Sequence, residues 1–177
     1  IANNDMIGIC FTHADSLMLT YNSTEAFLGT NPICFAVPCA EEDPFCLDMA
    51  TTMFNFNKIL KLRENKMPAP LGIGADVDGK ETTKSEKIVK LLPIGQYKGF
   101  GLALMVEILC SILTGMPYGK NITNMYKDPL EKKRFLGHFF SAIRIDCFEE
   151  IDVFKKRLHN LLMDIRNLPP RDKNVTV

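Results

Sequence analysis

Residues 96–115 read QYKGFGLALMVEILCSILTG, a long apolar run with one lysine and two glycines at its mouth. The run predicts a helix from residue 99 to about 113, stopped by Gly115 and Pro117. Its strongly apolar part, residues 100–110, is too short to span a bilayer and contains Glu107. A helix with almost no polar face forces Glu107 to find a backbone group, a basic residue or a second subunit as partner. Lys98 breaks a local rule, because the positive end of a helix dipole prefers an anion beside it. Bare backbone at Gly99 and Gly101 admits either a close neighbour or a ligand.

Around this helix the chain alternates between β-rich and helical patterns. MIGICFT (6–12), ICFAVP (33–38) and FCLDMA (45–50) read as strands, the first as one buried on both faces. Thr51 and Thr52 can each cap a helix expected over residues 53–64, which the prolines of NKMPAP end. Residues 66–83 form one long loop, with prolines, glycines and the turn signal DVDGK, expected to pack over a site. GHFFSAIRIDC (137–147) reads as a further strand, with alternation over its second half. Ile151, Phe154, Leu158, Leu161, Leu162, Ile165 and Leu168 then mark an amphipathic helix with one buried stripe. Strands interleaved with helices predict an α/β fold with a mixed β-sheet. We expect a main domain over residues 1–148, followed by a helix and tail over 149–177.

Charge and cysteines narrow the partners. Lys+Arg and Asp+Glu both total 21, so no net field recruits nucleic acid or an anionic membrane. The opening residues are not expected to act as a signal peptide. The six cysteines include no CxxC pair and sit mostly in apolar runs, which reads as buried free thiols in a reducing, cytoplasmic setting with no metal site. The chain starts at Ile1 directly in core-like sequence, as a fragment of a longer protein would.

Several look-alikes fail on chemistry. GADVDGKE (74–81) has the GxxxxGK spacing, but ends in Glu81 where a magnesium-binding hydroxyl belongs, and Asp76 and Asp78 would repel phosphate. GIGADV and GFGLAL lack the third glycine of a dinucleotide fingerprint. Neither His138, at a strand start, nor His159, off the apolar stripe of its helix, belongs to a recognisable triad; the first reads as hydrogen-bonded and the second as solvated. His13 ends the first strand and is open to a ligand or a purely polar role. Asp48 lies where a strand gives way to a helix start, a place for a ligand or for a cap on backbone amides.

The segments LGTNP (28–32), DMATT (48–52), LLPIGQYKGFGLALMVEIL (91–109) and LTG (113–115), with the spaced Asp76, Gly79 and Thr82, occur in order over almost the whole chain. Together they resemble the NAD(P)-dependent malate/L-lactate dehydrogenase family, which includes sulfolactate and ureidoglycolate dehydrogenases and is not Rossmann-type. The resemblance implies a homodimeric oxidoreductase that moves hydride between NAD or NADP and a small 2-hydroxy acid such as malate or lactate. It implies cofactor contacts at His13 and Ala14, at Asp48, Met49 and Ala50, and at Lys98 with the amides near Gly99. Lys98 would face an anionic group of the dinucleotide or the substrate carboxylate. Thr30 and Asn31 would line the same crevice, with Gly29 making the turn and Pro32 holding Asn31 extended. His13-Ala14 departs from the small hydroxyl or amide residue that often stands there in the family. The family's acid–base histidine and substrate arginine are expected outside these residues, which leaves this chain alone unable to transfer hydride. Two other readings differ in class: a non-catalytic dinucleotide-binding or dimerisation module, and a phosphate-binding hydrolase built on GADVDGK.

Overall fold

In the computed structural model, which describes residues 1–172 and Val175, the chain forms two compact units. The first takes Ile1–Ile9, Cys34–Leu47 and the chain from Phe140 on; the second takes Cys10–Ile33 and Asp48–Phe139.

Most of a four-stranded sheet belongs to the first unit. Its strands are β1 (Met6–Thr12), β4 (Ile33–Val37), β5 (Phe45–Met49) and β8 (His138–Arg144), in the order β5-β4-β1-β8. The apolar run of β1 is largely half-buried, with only Gly8 and Phe11 fully inside, so it is not covered on both faces as expected. β5 is an edge strand, and it leaves Phe45 and Leu47 exposed. In β8 the alternation of exposure falls on residues 138–142, the first half of the segment, because residues 145–147 leave the strand as a 3-10 turn. Helix α3 (Ile151–Arg166) follows, held to this unit by Lys155, which meets Asp5 at 2.6 Å and accepts from Ala40 N through its carbonyl. Its expected stripe is only half-buried: Ile151, Phe154, Leu158 and Leu162 are partly covered, whereas Leu161, Ile165 and Leu168 stay exposed.

The second unit carries a small mixed sheet of β2 (Met18–Leu19), β3 (Ala26–Leu28), β6 (Gly74–Ala75) and β7 (Lys90–Leu91), ordered β3-β2-β7-β6. β2 runs parallel to β7, and the two outer pairs are antiparallel. Strands of two or three residues leave no periodic signal, so pattern alone does not reveal this sheet. Ile59, Ile73, Ile88 and Leu91 form one core; Met18, Leu28 and Ala103 form another. Each large aliphatic side chain buried there contributes on the order of 1.5–3 kcal/mol.

Helix α1 (Phe56–Glu64) starts later than expected, because Asn55 is its cap and accepts from Lys58 N at 2.9 Å. Helix α2 (Tyr97–Glu107) starts two residues earlier than expected and passes into a π-helical turn, Ile108–Ile112. The GxxxxGK look-alike is a hairpin turn: the Asp76 carboxylate accepts from the amides of Asp78 and Lys80. No described helix is long and apolar enough to cross a membrane.

Candidate functional site

Within the second unit, the segments LGTNP, DMATT and LLPIGQ meet at one threonine. Thr51 N donates to Thr30 O at 2.9 Å, and Thr51 Oγ1 donates to Thr30 O at 2.9 Å and Asn31 O at 3.3 Å. Its carbonyl accepts from Ile94 N, and the Ile94 carbonyl accepts from Gly99 N at 2.7 Å. Thr51 is fully buried, so its hydroxyl is a junction between chain segments and not a helix cap. Thr52 likewise turns inward, donating to Phe54 O.

Asn31 is the second junction. Its Oδ1 accepts from Ala14 N at 3.0 Å, and its Nδ2 donates to Ala103 O and Glu107 Oε2, each at 2.9 Å. Every polar atom of this fully buried side chain is thereby paired. Its backbone sits at φ 32, in the left-handed region, not extended as the following proline led us to expect. Asparagine tolerates that conformation better than most residues, and three side-chain hydrogen bonds hold it there. Gly29 does not supply the turn; a Cβ there would fall 2.3 Å from Ala14 O, so its role is close approach. Glu107 finds its partners in Asn31 and in Gly119 N, which donates to Oε1 at 2.8 Å.

These junctions fix the entry to α2. Gly95 at φ 54 and Gln96 at φ 57, ψ −115 place two successive residues in unusual backbone conformations before Tyr97. Gln96 has a Cβ, so its conformation carries strain on the order of 1–3 kcal/mol, of the kind concentrated at ligand sites. No side chain caps the helix, and Lys98 stands in its first turn with no acidic residue beside it. Its ammonium is exposed and meets no carboxylate among the described residues. Lys98 N donates to Gly95 O and Gly99 N to Ile94 O, so those two amides are already engaged and the cationic side chain is what remains for an anion. At Gly99 a Cβ would lie 2.3 Å from Ile94 O; packing of the helix start explains this glycine, whereas a Cβ on Gly101 would meet nothing within 4 Å.

A cavity of about 580 Å³ opens beside this turn. Leu92, Pro93, Gly95, Gln96 and Met53 line it, together with Leu71, Gly72 and Glu81 of the long loop. The loop thus packs over a cavity as expected. Tyr21 lines it too and stacks edge-on against Tyr97 at 6.1 Å. Thr20 lines it as well, and its buried hydroxyl has no hydrogen-bond partner. The Leu92–Gln96 wall suits a flat apolar group, and Lys98 adjoins the cavity through Gly95.

None of the nine residues named from sequence lines this cavity directly. Lys98 adjoins it through Gly95, where an added Cβ would lie 3.7 Å from Lys98 Cβ. Ala14, Thr30, Asn31 and Gly99 belong to the hydrogen-bonded framework behind it. Met49 and Ala50 lead into Thr51 and are partly buried. Asp48, still inside β5, is exposed, and its carboxylate caps no amide among the described residues. His13 is fully buried, with neither ring nitrogen in a hydrogen bond. Burial pushes its pKa below the ordinary 6.5, against the Glu107 carboxylate and the Cys110 main chain, which favour the charged ring. Sequence reasoning missed Thr20, Tyr21 and Gln96; only Gln96, beside Gly95 in a helix-entry motif, had a usable signal.

The histidine and cysteine expectations divide. His138 bonds Thr12 Oγ1 at 3.0 Å, as expected of a structural residue. His159 is not solvated: the 39–42 loop covers it, and Glu42 Oε1 lies 3.2 Å from its Nδ1. No disulfide joins the described cysteines, but only Cys110 is buried; Cys46 on the edge strand and Cys147 after β8 are exposed.

Comparison with known proteins agrees with these motifs. The family described as malate/L-lactate dehydrogenase matches residues 1–177. A ureidoglycolate dehydrogenase (NAD(+)) of Escherichia coli O157:H7 is 31% identical over 169 residues, covering 96% of this chain and 48% of that one. A malate dehydrogenase of Pyrococcus abyssi is 35% identical over 176 residues, covering 94% of this chain and 47% of that one. The solved structure of sulfolactate dehydrogenase from Methanocaldococcus jannaschii superposes with a TM-score of 0.89 at 35% identity, over 99% of this chain and 51% of that one. The chain therefore spans about half the length of the relatives it matches. With its fold, its ordered motifs and its full-length match in agreement, the chain belongs to the malate/L-lactate dehydrogenase family.

Proposed function

We propose that this chain forms the nicotinamide-dinucleotide-binding part of a dehydrogenase acting on a small 2-hydroxy acid. The observation that carries this reading is the Lys98 ammonium, unpaired among the described residues, at the uncapped start of α2 beside a cavity with an unpartnered Thr20 hydroxyl. Lys98 binds an anionic group of the dinucleotide by a charge-assisted contact. The buried framework of Thr51, Asn31 and Glu107 holds that lysine's helix in place, so binding costs little reorganisation. The nicotinamide ring supplies hydride transfer when bound. Relatives named for NAD(+) and for NADP(+) both occur, and either nucleotide fits this reading.

The homodimer implied by the resemblance is part of the same proposal. Leu102, Met105, Ile108 and Ile112 leave an apolar stripe of α2 and its π-turn exposed, a surface suited to a second copy. Cysteines without a disulfide among the described residues accord with work in a reducing compartment such as the cytoplasm.

Two assays test the function. Reduction of NAD and NADP is followed with malate, lactate, sulfolactate and ureidoglycolate as substrates, alongside binding of NADH and NADPH by fluorescence. The reading expects binding without turnover from these residues alone, because the acid–base histidine and substrate arginine implied by the resemblance are not among them. Absence of binding by both nucleotides would overturn the function; robust turnover would overturn the division of labour.

A further inference from the structure

The first unit contains a cluster that the nucleotide site does not use. Cys39 and Glu42 lie in the loop between β4 and β5, and His159 lies on α3. The Cys39 thiol donates to Glu42 Oε1 at 3.7 Å, and His159 Nδ1 lies 3.2 Å from the same oxygen. One ligand atom from each residue falls within 4.8 Å of the others. The left-handed backbone at Glu41, φ 64, lets the loop present Cys39 and Glu42 to the helix together.

We infer that Cys39, Glu42 and His159 form a binding site for a divalent cation of zinc type, clipping the β4–β5 loop to α3. Thiolate, imidazole and carboxylate are the ligand types zinc takes, at about 2.3, 2.0–2.1 and 2.0–2.2 Å. A tetrahedral ion at those lengths separates nitrogen from oxygen by roughly 3.3 Å and sulfur from oxygen by roughly 3.5 Å. The present separations of 3.2 and 3.7 Å need little adjustment. The fourth position is open to water, while Glu41 Oε2, 3.7 Å from His159 Nε2, stands at the ring nitrogen that does not ligate.

Among the described residues Arg166 is the one cation facing the cluster, and it bonds both Glu42 oxygens, at 3.0 and 2.7 Å. It must yield Oε1 to the metal while keeping Oε2, where it would orient the carboxylate from outside. Zinc takes the thiolate, so on binding the Cys39 S–H bond breaks, an S–metal bond forms, and one proton leaves to solvent. Spacing within the sequence could not show this site, since His159 lies 117 residues beyond Glu42.

The test uses zinc(II), in competition with a chromophoric chelator, and cobalt(II) as an optical probe on the metal-free chain. One equivalent of zinc should bind with a dissociation constant of about 1 µM or tighter. Cobalt should give a thiolate charge-transfer band, and affinity should rise with pH as the proton exchange requires. Cys39→Ser and His159→Gln should each weaken zinc at least about tenfold and Cys39→Ser should abolish the band, whereas Cys147→Ser should change neither. Far-UV circular dichroism of the metal-free variants checks that they fold. Zinc binding weaker than about 100 µM, a band that survives Cys39→Ser, or equal losses in Cys147→Ser would each overturn the site.

Discussion

Asn31 Nδ2 and Glu107 Oε2, 76 residues apart in the chain, meet at 2.9 Å in a fully enclosed setting. That contact ties the LGTNP turn to the middle of the apolar helix. It explains how a carboxylate can sit within α2: one oxygen takes the asparagine amide and the other the Gly119 amide.

Removing the asparagine should therefore cost more than its size implies. Asn31→Ala strands Ala14 N, Ala103 O and Glu107 together, each loss worth about 1–3 kcal/mol. We expect a drop of about 3 kcal/mol or more in chemical denaturation. Glu107→Gln keeps the shape but turns one of two acceptors into an NH2 facing a donor, and should lose about 2 kcal/mol; Glu107→Leu should lose about 3. Equal, small losses for all three would show that the network is not holding the segments together.

The two glycines of KGFG should respond in opposite directions. Gly99→Ala drives a methyl into the Ile94 carbonyl and should destabilise by at least about 2 kcal/mol, as overpacking against backbone does. Gly101→Ala meets open space on an exposed helical position and should stabilise by about 0.5–1 kcal/mol. Thermal melts of the two variants measure both signs.

Acid should expose His13. Its folded-state pKa lies below the ordinary 6.5, so the native state binds fewer protons than the unfolded chain as pH falls. The neutral ring's contribution is complete above about pH 6.5 and is lost as pH drops through the lowered value, with a slope of up to about 1.4 kcal/mol per pH unit. His13→Leu should flatten stability between about pH 6.5 and 5, above the range where carboxylates titrate. An unchanged slope would mean that the fold does not lower the ring's pKa.

Much of this architecture is readable in the chain itself. β1 falls on MIGICFT, α3 on the three-and-four spacing after Ile151, and the long loop does cover a cavity. Local pattern fails where long-range hydrogen bonds take over. Thr51 looks like a cap because hydroxyls commonly are, yet it bonds carbonyls twenty residues upstream. Asn31 precedes proline, which favours extended backbone, yet three tertiary contacts hold it at positive φ. The π-turn after Glu107 has no composition signature, and His159 reads as solvated because its cover comes from a loop over a hundred residues away. Lys98 stands out in the sequence for a physical reason: a cation at a helix start with no local compensation is a visible violation.

That lysine gives the most direct measurement. NADH and NADPH are titrated by fluorescence into the unmodified chain and into Lys98→Ala, at low and at physiological salt. We predict at least a roughly tenfold weaker dissociation constant for Lys98→Ala with whichever nucleotide binds, and a shallower dependence on salt. Identical constants for the two proteins at both salt concentrations would contradict an anion-binding Lys98 and, with it, the placement of the dinucleotide beside α2.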